Sequence, residues 1–281
     1  MAEGRLAGRV ALITDDGVEP PTLTGDDVLR IDDADFGADR VALVTGAASG
    51  IGRATAERFV DEGAAVMAVD LQARALADTE AVLRERGGRV ASALCDVTDE
   101  AAVRATVARC LETFGALHQL TNMAGILRFD HFHELSLADF LRVQAVNVTG
   151  TFLFCREATP ALLEARGNIV NAASTASLQG VPWGAAYAAS KGAVLAMTRS
   201  IAVEYADCGL RANCVCPAGI NTPMTSPTFP AGADLRKLGR LRSMLPERGP
   251  EAVASVIAML ASEDGAHITG EHIRIDGGAL A

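Results

Sequence analysis

Val41-Ala42-Leu43-Val44-Thr45-Gly46-Ala47-Ala48-Ser49-Gly50-Ile51-Gly52 is the stretch on which the reading of this chain turns. The four successive apolar residues 41–44 predict a strand buried on both faces, as strands of a parallel sheet are. Three glycines follow, and then Ile51, Ala54, Phe59 and Val60 recur at helical spacing. A strand, a glycine turn and a helix N-terminus make a phosphate site: Gly46 permits the turn, while Gly50 and Gly52 allow close approach of ligand and helix. The unpaired N–H groups and the dipole of the helix face the anion. A second strand, 65–69, ends in Asp70, eighteen positions after Gly52. A carboxylate there accepts both ribose hydroxyls of NAD and repels the 2′-phosphate of NADP. No Arg or Lys stands beside it, so NAD is favoured. The plainer role for Asp70 is to cap the following helix.

The 281 residues suffice for one large α/β domain, and 49% hydrophobic with 21% charged residues is a globular composition. No apolar run reaches the length of a membrane span, and residues 1–9 lack the apolar core of a signal peptide, which together point to the cytoplasm. A net charge of −10 argues against nucleic acid and anionic lipid as partners. Most of that charge falls in an N-terminal extension, residues 1–39, with three arginines against ten acidic residues. Within it Arg9-Val-Ala-Leu-Ile-Thr14 nearly repeats Arg40-Val-Ala-Leu-Val-Thr45, but Asp15-Asp16 stand where the glycine turn would begin and would repel phosphate. The extension reads either as an acidic tail or as a docked strand pair, with 10–13 and 28–31 as its apolar segments. Six cysteines are scattered through predicted helices and strands and read as reduced, mostly buried apolar residues. Cys214-x-Cys216 lacks the second ligand pair that zinc needs.

From residue 40 strands and helices alternate without a long linker, which predicts a single doubly wound, Rossmann-type parallel sheet with helices on both faces. Strands are expected at 90–94, up to Asn122, at 168–173, at 211–216 and at 272–275. Ser136-x-x-Asp139 has nearly the form of a capping box and opens a long helix through Asn147 to about Leu163. Asn147 competes with backbone bonding there, so a local kink is expected, able to hold a water that links Lys191 to solvent. Residues 221–249, rich in Pro, Gly and basic residues, read as a lid. Tyr187 and Lys191 lie one helical turn apart and project from the same face. A neighbouring ammonium favours phenolate, which would make Tyr187 a general acid/base. Ser174 ends the fifth strand, at the edge where sites of doubly wound folds gather, and its hydroxyl is placed to hold a substrate oxygen.

Together these residues resemble the short-chain dehydrogenase/reductase family over 40–281. The resemblance implies a cofactor loop at Gly46, Ser49, Gly50, Ile51 and Gly52, with Asp70 and Leu71 at the adenosine ribose. It implies that Asp96 and Val97 frame the adenine, that Asn122, Ala124 and Gly125 support the central strand and the cofactor, and that Pro217, Ile220 and Thr222 grip the carboxamide. Asn147, Ser174, Tyr187 and Lys191 fall on the catalytic tetrad, with Tyr187 and Lys191 also touching NAD. Met123 departs from the family's usual Asn, and Ala218 from its usual Gly. The implied activity is reversible hydride transfer between NAD and a secondary alcohol or ketone, in a homotetramer paired through the helices bearing Asn147 and Tyr187. The alternatives are an NADPH-dependent 3-oxoacyl-type carbonyl reductase, against which Asp70 counts, and a non-catalytic nucleotide-binding protein, against which the tetrad counts.

The expected substrate pocket is mostly apolar, with Ile126, Leu127, Phe129, Leu178, Val181, Trp183, Met224 and Phe229 as its walls. Arg236, Lys237, Arg240 and Arg242 read as a solvated face, or less simply as contacts for a substrate anion. His131, His133 and Glu134 lack a third fixed ligand, so no metal is expected.

Overall fold

Strands that are apolar along their whole length need cover on both faces, and the computed structural model of the chain has that arrangement. It describes residues 36–37, 39–225 and 228–281, with the side chains of residues 225 and 240 left aside. The extension segments 10–13 and 28–31 lie outside the described residues. Seven strands form one sheet: β1 (Val41–Thr45), β2 (Ala65–Asp70), β3 (Val90–Leu94), β4 (Gln119–Asn122), β5 (Asn168–Ala172), β6 (Arg211–Pro217) and β7 (His272–Ile275). Their order is β3-β2-β1-β4-β5-β6-β7, and every pairing is parallel. The order reverses between β1 and β4, which opens a crevice at the carboxyl ends of the strands.

Side chains alternate along β1, and each set meets its own helices. Ala42 and Val44 share a core with Phe59 of α1 (Gly50–Asp61), Leu83 of α2 (Ala73–Glu85) and Ile257 of α7 (Glu251–Ala261). Val41 and Leu43 face Val107 of α3 (Glu100–Phe114), Phe154 of α5 (Gly150–Glu164) and Ala202 of α6 (Ala185–Tyr205).

The long helix expected from Ser136 is present but interrupted. Ser136 Oγ accepts from Asp139 N at 3.0 Å and caps α4 (Leu137–Gln144). One π-turn, Ala145–Thr149, then joins α4 to α5 with Asn147 at its middle. The expected kink is this π-turn, a form of helix that recurs at functional sites.

Phe36, in the stretch read as acidic extension, is buried against Phe59 with ring centroids 4.8 Å apart, and its N–H donates to Glu62 Oε2 at 3.0 Å. Phe36→Ala is expected to lower unfolding stability by about 3 kcal/mol, the usual cost of deleting a core ring, measured by urea denaturation. A loss below about 1 kcal/mol would place this ring outside the cooperative core.

Candidate active site

Two backbone approaches build the glycine turn. Gly46 has φ +69°, and a Cβ on it would lie 2.8 Å from Ala124 N; a Cβ on Gly52 would lie 2.1 Å from Gly46 O. Thr45 Oγ1 accepts from Met123 N at 3.1 Å and from Ala124 N at 3.2 Å, which ties the turn to the end of β4. Helix α1 starts at Gly50 with Ser49 as its N-cap residue, whose side chain makes no capping bond. Asp70 secures the other side: its Oδ2 accepts from Ala48 N at 3.0 Å and its Oδ1 from Gln72 N at 2.9 Å. Gln72, not Asp70, is the N-cap residue of α2, so the plainer capping role does not apply.

These groups border a cleft of about 1250 Å³. Every residue assigned to the site from sequence lines it except Asn122 and Asn147. Asn122 lies in the core, where its Nδ2 donates to Asn171 Oδ1 at 2.9 Å; its side chain supports the sheet and does not face the cleft. Asn147 is buried behind the wall. Its Oδ1 accepts from Ile126 N at 2.8 Å, while its Nδ2 donates to Ile126 O at 3.0 Å and to Ser190 Oγ at 2.9 Å. The side chain is thus a clamp on the chain leaving β4, not an arm reaching towards Lys191.

Ser174 caps the single turn Thr175–Ser177 at the carboxyl end of β5, and it lines the cleft together with Tyr187. Lys191 is buried, donates from Nζ to Ala172 O at 2.7 Å and stands 5.6 Å from the centre of the Tyr187 ring. A Cβ on Gly125 would lie 3.6 Å from Lys191 Nζ and 3.3 Å from Asn147 Oδ1, so the lysine and the clamp meet at this glycine.

The electrostatics correct one expectation. Burial raises the pKa of Tyr187 above its usual 10, with the Ser174 hydroxyl only partly opposing it. The ammonium that was expected to favour phenolate is itself disfavoured, because burial brings Lys191 down to about 8. Burial likewise pushes the Cys110, Cys155 and Cys214 thiols up to about 12, which leaves them unreactive. All six cysteines are unpaired, and Cys208 is exposed.

The outer cleft is lined by Ile126, Leu127, Phe129, Val181, Met224 and Phe229, as expected. Leu178 instead packs into a small core with Val194 and Cys214, and Trp183 stands outside the lining, edge-on to Phe229 at 6.0 Å. Arg242 borders the cleft, whereas Arg236 is 92% exposed and paired with Asp234. Arg142 and Gln179 also line it and were not singled out from sequence. For Arg142 the signal was available: with Ala145 and Val146 it forms one helix face just before Asn147. Gln179 sits in a turn and leaves no such trace. His131 Nε2 donates to Ala231 O at 2.9 Å, and His133 lies 3.5 Å from Glu134.

Comparison with known proteins adds to this geometry. A family model described as enoyl-(acyl carrier protein) reductase matches residues 46–279. The 2-(R)-hydroxypropyl-CoM dehydrogenase of Xanthobacter autotrophicus is 42% identical, over 86% of this chain and 99% of its own. The meso-2,3-butanediol dehydrogenase of Serratia marcescens is 38% identical, over 86% and 95%. The crystal structure of a short chain dehydrogenase from Mycobacterium paratuberculosis bound to NAD superposes with a TM-score of 0.79 at 29% identity, covering 86% of this chain and 97% of that one.

Lys191 gives the fold a pH signature. Its pKa falls from 10.5 unfolded to about 8 folded, so between those values the unfolded chain binds more protons and stability rises with pH. The gain amounts to about 3 kcal/mol. The thiols of Cys110, Cys155 and Cys214, shifted upward from 9 to about 12, act in the opposite sense above 9, and Tyr187 does so above 10. Urea denaturation across this range is expected to show the wild type gaining on Lys191→Met by this amount, since the thiols act equally in both; parallel curves would refute the burial argument.

Proposed function

Because the chain belongs to the short-chain dehydrogenase/reductase family, we propose that it oxidises secondary alcohols, or reduces the matching ketones, with NAD. The observation that carries this reading is that Ser174, Tyr187 and Lys191 line the same cleft as the glycine cradle. The names of the two relatives above specify substrates with a hydroxyl on an internal carbon. The cradle suits a dinucleotide: Gly46 and Gly52 leave no room for a side chain, and α1 presents its N-terminus to the cleft. Asp70 and Leu71 border the place for the adenosine ribose, Asp96 and Val97 that for the adenine, and Pro217, Ile220 and Thr222 that for the carboxamide. When bound, NAD supplies the acceptor for a hydride.

The chain's own residues handle the proton. Ser174 Oγ orients the substrate oxygen, and Tyr187 Oη exchanges its proton with that oxygen. Burial keeps the phenol protonated, the form a general acid needs when a ketone is reduced. In the oxidative direction Lys191, where it is protonated below its pKa of about 8, would offset part of the burial that holds the phenol protonated. Asn147 holds Ile126 by both its N–H and its carbonyl, and the π-turn around it is the kink that would hold a water linking Lys191 to solvent.

We place the protein in the cytoplasm as a homotetramer. Its unpaired thiols suit a reducing compartment, and no helix among the described residues is long and apolar enough to cross a membrane. Leu137, Leu141, Phe152 and Val203 are exposed on α4, α5 and α6, the helices that would pair. The catalytic unit would then be 40–281, with Phe36 packed into its core and 221–249 as its lid.

Two measurements test the reading. With a 2-alkanol and NAD, Tyr187→Phe is expected to lower kcat by about a hundredfold or more while NADH affinity stays unchanged; equal turnover would remove Tyr187 from its role. In thermal-shift titration NADH is expected to stabilise the protein, by about 2.7 kcal/mol at a hundredfold excess over Kd. A larger shift with NADPH would overturn the role of Asp70 and favour the carbonyl reductase reading.

A further inference from the structure

Three aromatic rings meet at the outer end of the cleft. Phe129, from the loop after β4, stacks on Phe229, from the segment 221–249, with centroids 5.1 Å apart and planes 11° apart. Trp183 meets Phe229 edge-on at 6.0 Å. Two hydrogen bonds run alongside: His131 Nε2 donates to Ala231 O at 2.9 Å, and Asp130 N donates to Trp183 O at 3.0 Å. Three separate stretches of chain are therefore fastened together at one point.

Trp183 sits there at a cost. Its φ of +61° lies in the left-handed region that side chains avoid, and only Arg166 shares this among the described non-glycine residues. Strain of this kind, of order 1–3 kcal/mol, persists where surrounding contacts over-determine it, and it gathers at functional sites. The next residue is cut to fit. A Cβ on Gly184 would stand 3.2 Å from Phe129 Cε1 and 3.1 Å from Val181 Cγ1, so a side chain here would press on both and Phe129 or Val181 would have to give way slightly. Gly184 is also the N-cap residue of α6, three positions before Tyr187. The stacked rings thus rest on the first turn of the helix that carries the phenol. Of the three, Phe129 and Phe229 line the cleft and Trp183 does not.

We propose that Phe229 is a specificity-determining residue: with Phe129 it forms the wall against which the larger, apolar substituent of a secondary alcohol is placed, and Trp183 holds that wall in position from outside. The site then selects alcohols with one short and one longer hydrocarbon arm. It disfavours those whose longer arm is strongly polar, since stacked rings offer such a group no hydrogen-bond partner. This assignment rests on the proposed alcohol dehydrogenase activity.

Trp183 is the chain's single tryptophan, so its emission reports on the three-ring contact without reference to turnover. Acrylamide quenching is compared in the wild type and Phe229→Ala, each alone and with NAD plus a 2-alkanone, a pair that cannot react because both members are oxidised. Quenching is expected to rise in Phe229→Ala and to fall in the wild type when the pair binds. In parallel, kcat/KM is measured with NAD along the linear 2-alkanols. Phe229→Ala is expected to lose about tenfold on the preferred alcohol, mainly through KM, and to move the preference to longer chains. Trp183→Gly, in which glycine takes the left-handed φ without strain, is expected to shift the preference in the same direction, and Phe229→Trp to shorten it. NADH affinity is expected to be equal in all variants. Identical quenching and an unaltered chain-length profile would overturn the assignment. If the wild type oxidises no 2-alkanol with either cofactor, the dehydrogenase reading fails, while the quenching comparison still decides whether Phe229 holds Trp183.

Discussion

The approach of Gly52 to Gly46, so close that a methyl group would lie 2.1 Å from a carbonyl oxygen, is the contact on which the rest of this molecule depends. It draws the first turn of α1 against the end of β1, and with it the helix N-terminus to the mouth of the crevice. Thr45 then binds the chain leaving β4 to the same turn, and Asp70 binds the end of β2 to it. Three adjacent strands end at one cluster of backbone atoms. The cleft opens above that cluster, where the strand order reverses between β1 and β4.

On the opposite side the organising constraint is burial of charge. Lys191 has been taken out of water and donates to the carbonyl of Ala172, and its readiness to lose a proton follows from that burial. Tyr187 shares the same surroundings and responds with the opposite sign, since for a phenol the charged form is the deprotonated one. One dry environment therefore moves the two groups apart on the pH scale, Lys191 down and Tyr187 up.

Much of this was legible in the sequence because it is periodic or punctuated. The apolar runs at 41–44 and 65–69, the glycines after the first and the aspartate after the second fixed where the crevice lies; the capping pattern at Ser136 and the polar Asn147 inside an apolar helix marked the π-turn. What was not legible depends on register and solvent. Asn122 faces Asn171 across β4 and β5, a pairing that no single strand reveals, so its side chain went to the core instead of the cofactor. The direction of the Tyr187 shift depends on how much water the folded cleft excludes. Leu178, Trp183 and Gln179 lie in turns without periodicity, where neighbouring residues point to unrelated places; Phe36, flanked by acidic residues, looked like tail and proved to be core.

Asp70 has a consequence for how such a protein can change its cofactor. Its two oxygens already hold Ala48 N and Gln72 N, so the residue that would discriminate between dinucleotides also fastens the phosphate turn to β2. Replacing it with an apolar or basic side chain would remove the repulsion of a 2′-phosphate and, in the same stroke, leave Ala48 N without its acceptor. A lineage crossing from one cofactor to the other would therefore need a second substitution to restore that hydrogen bond, and selectivity and loop order would have to evolve as a pair.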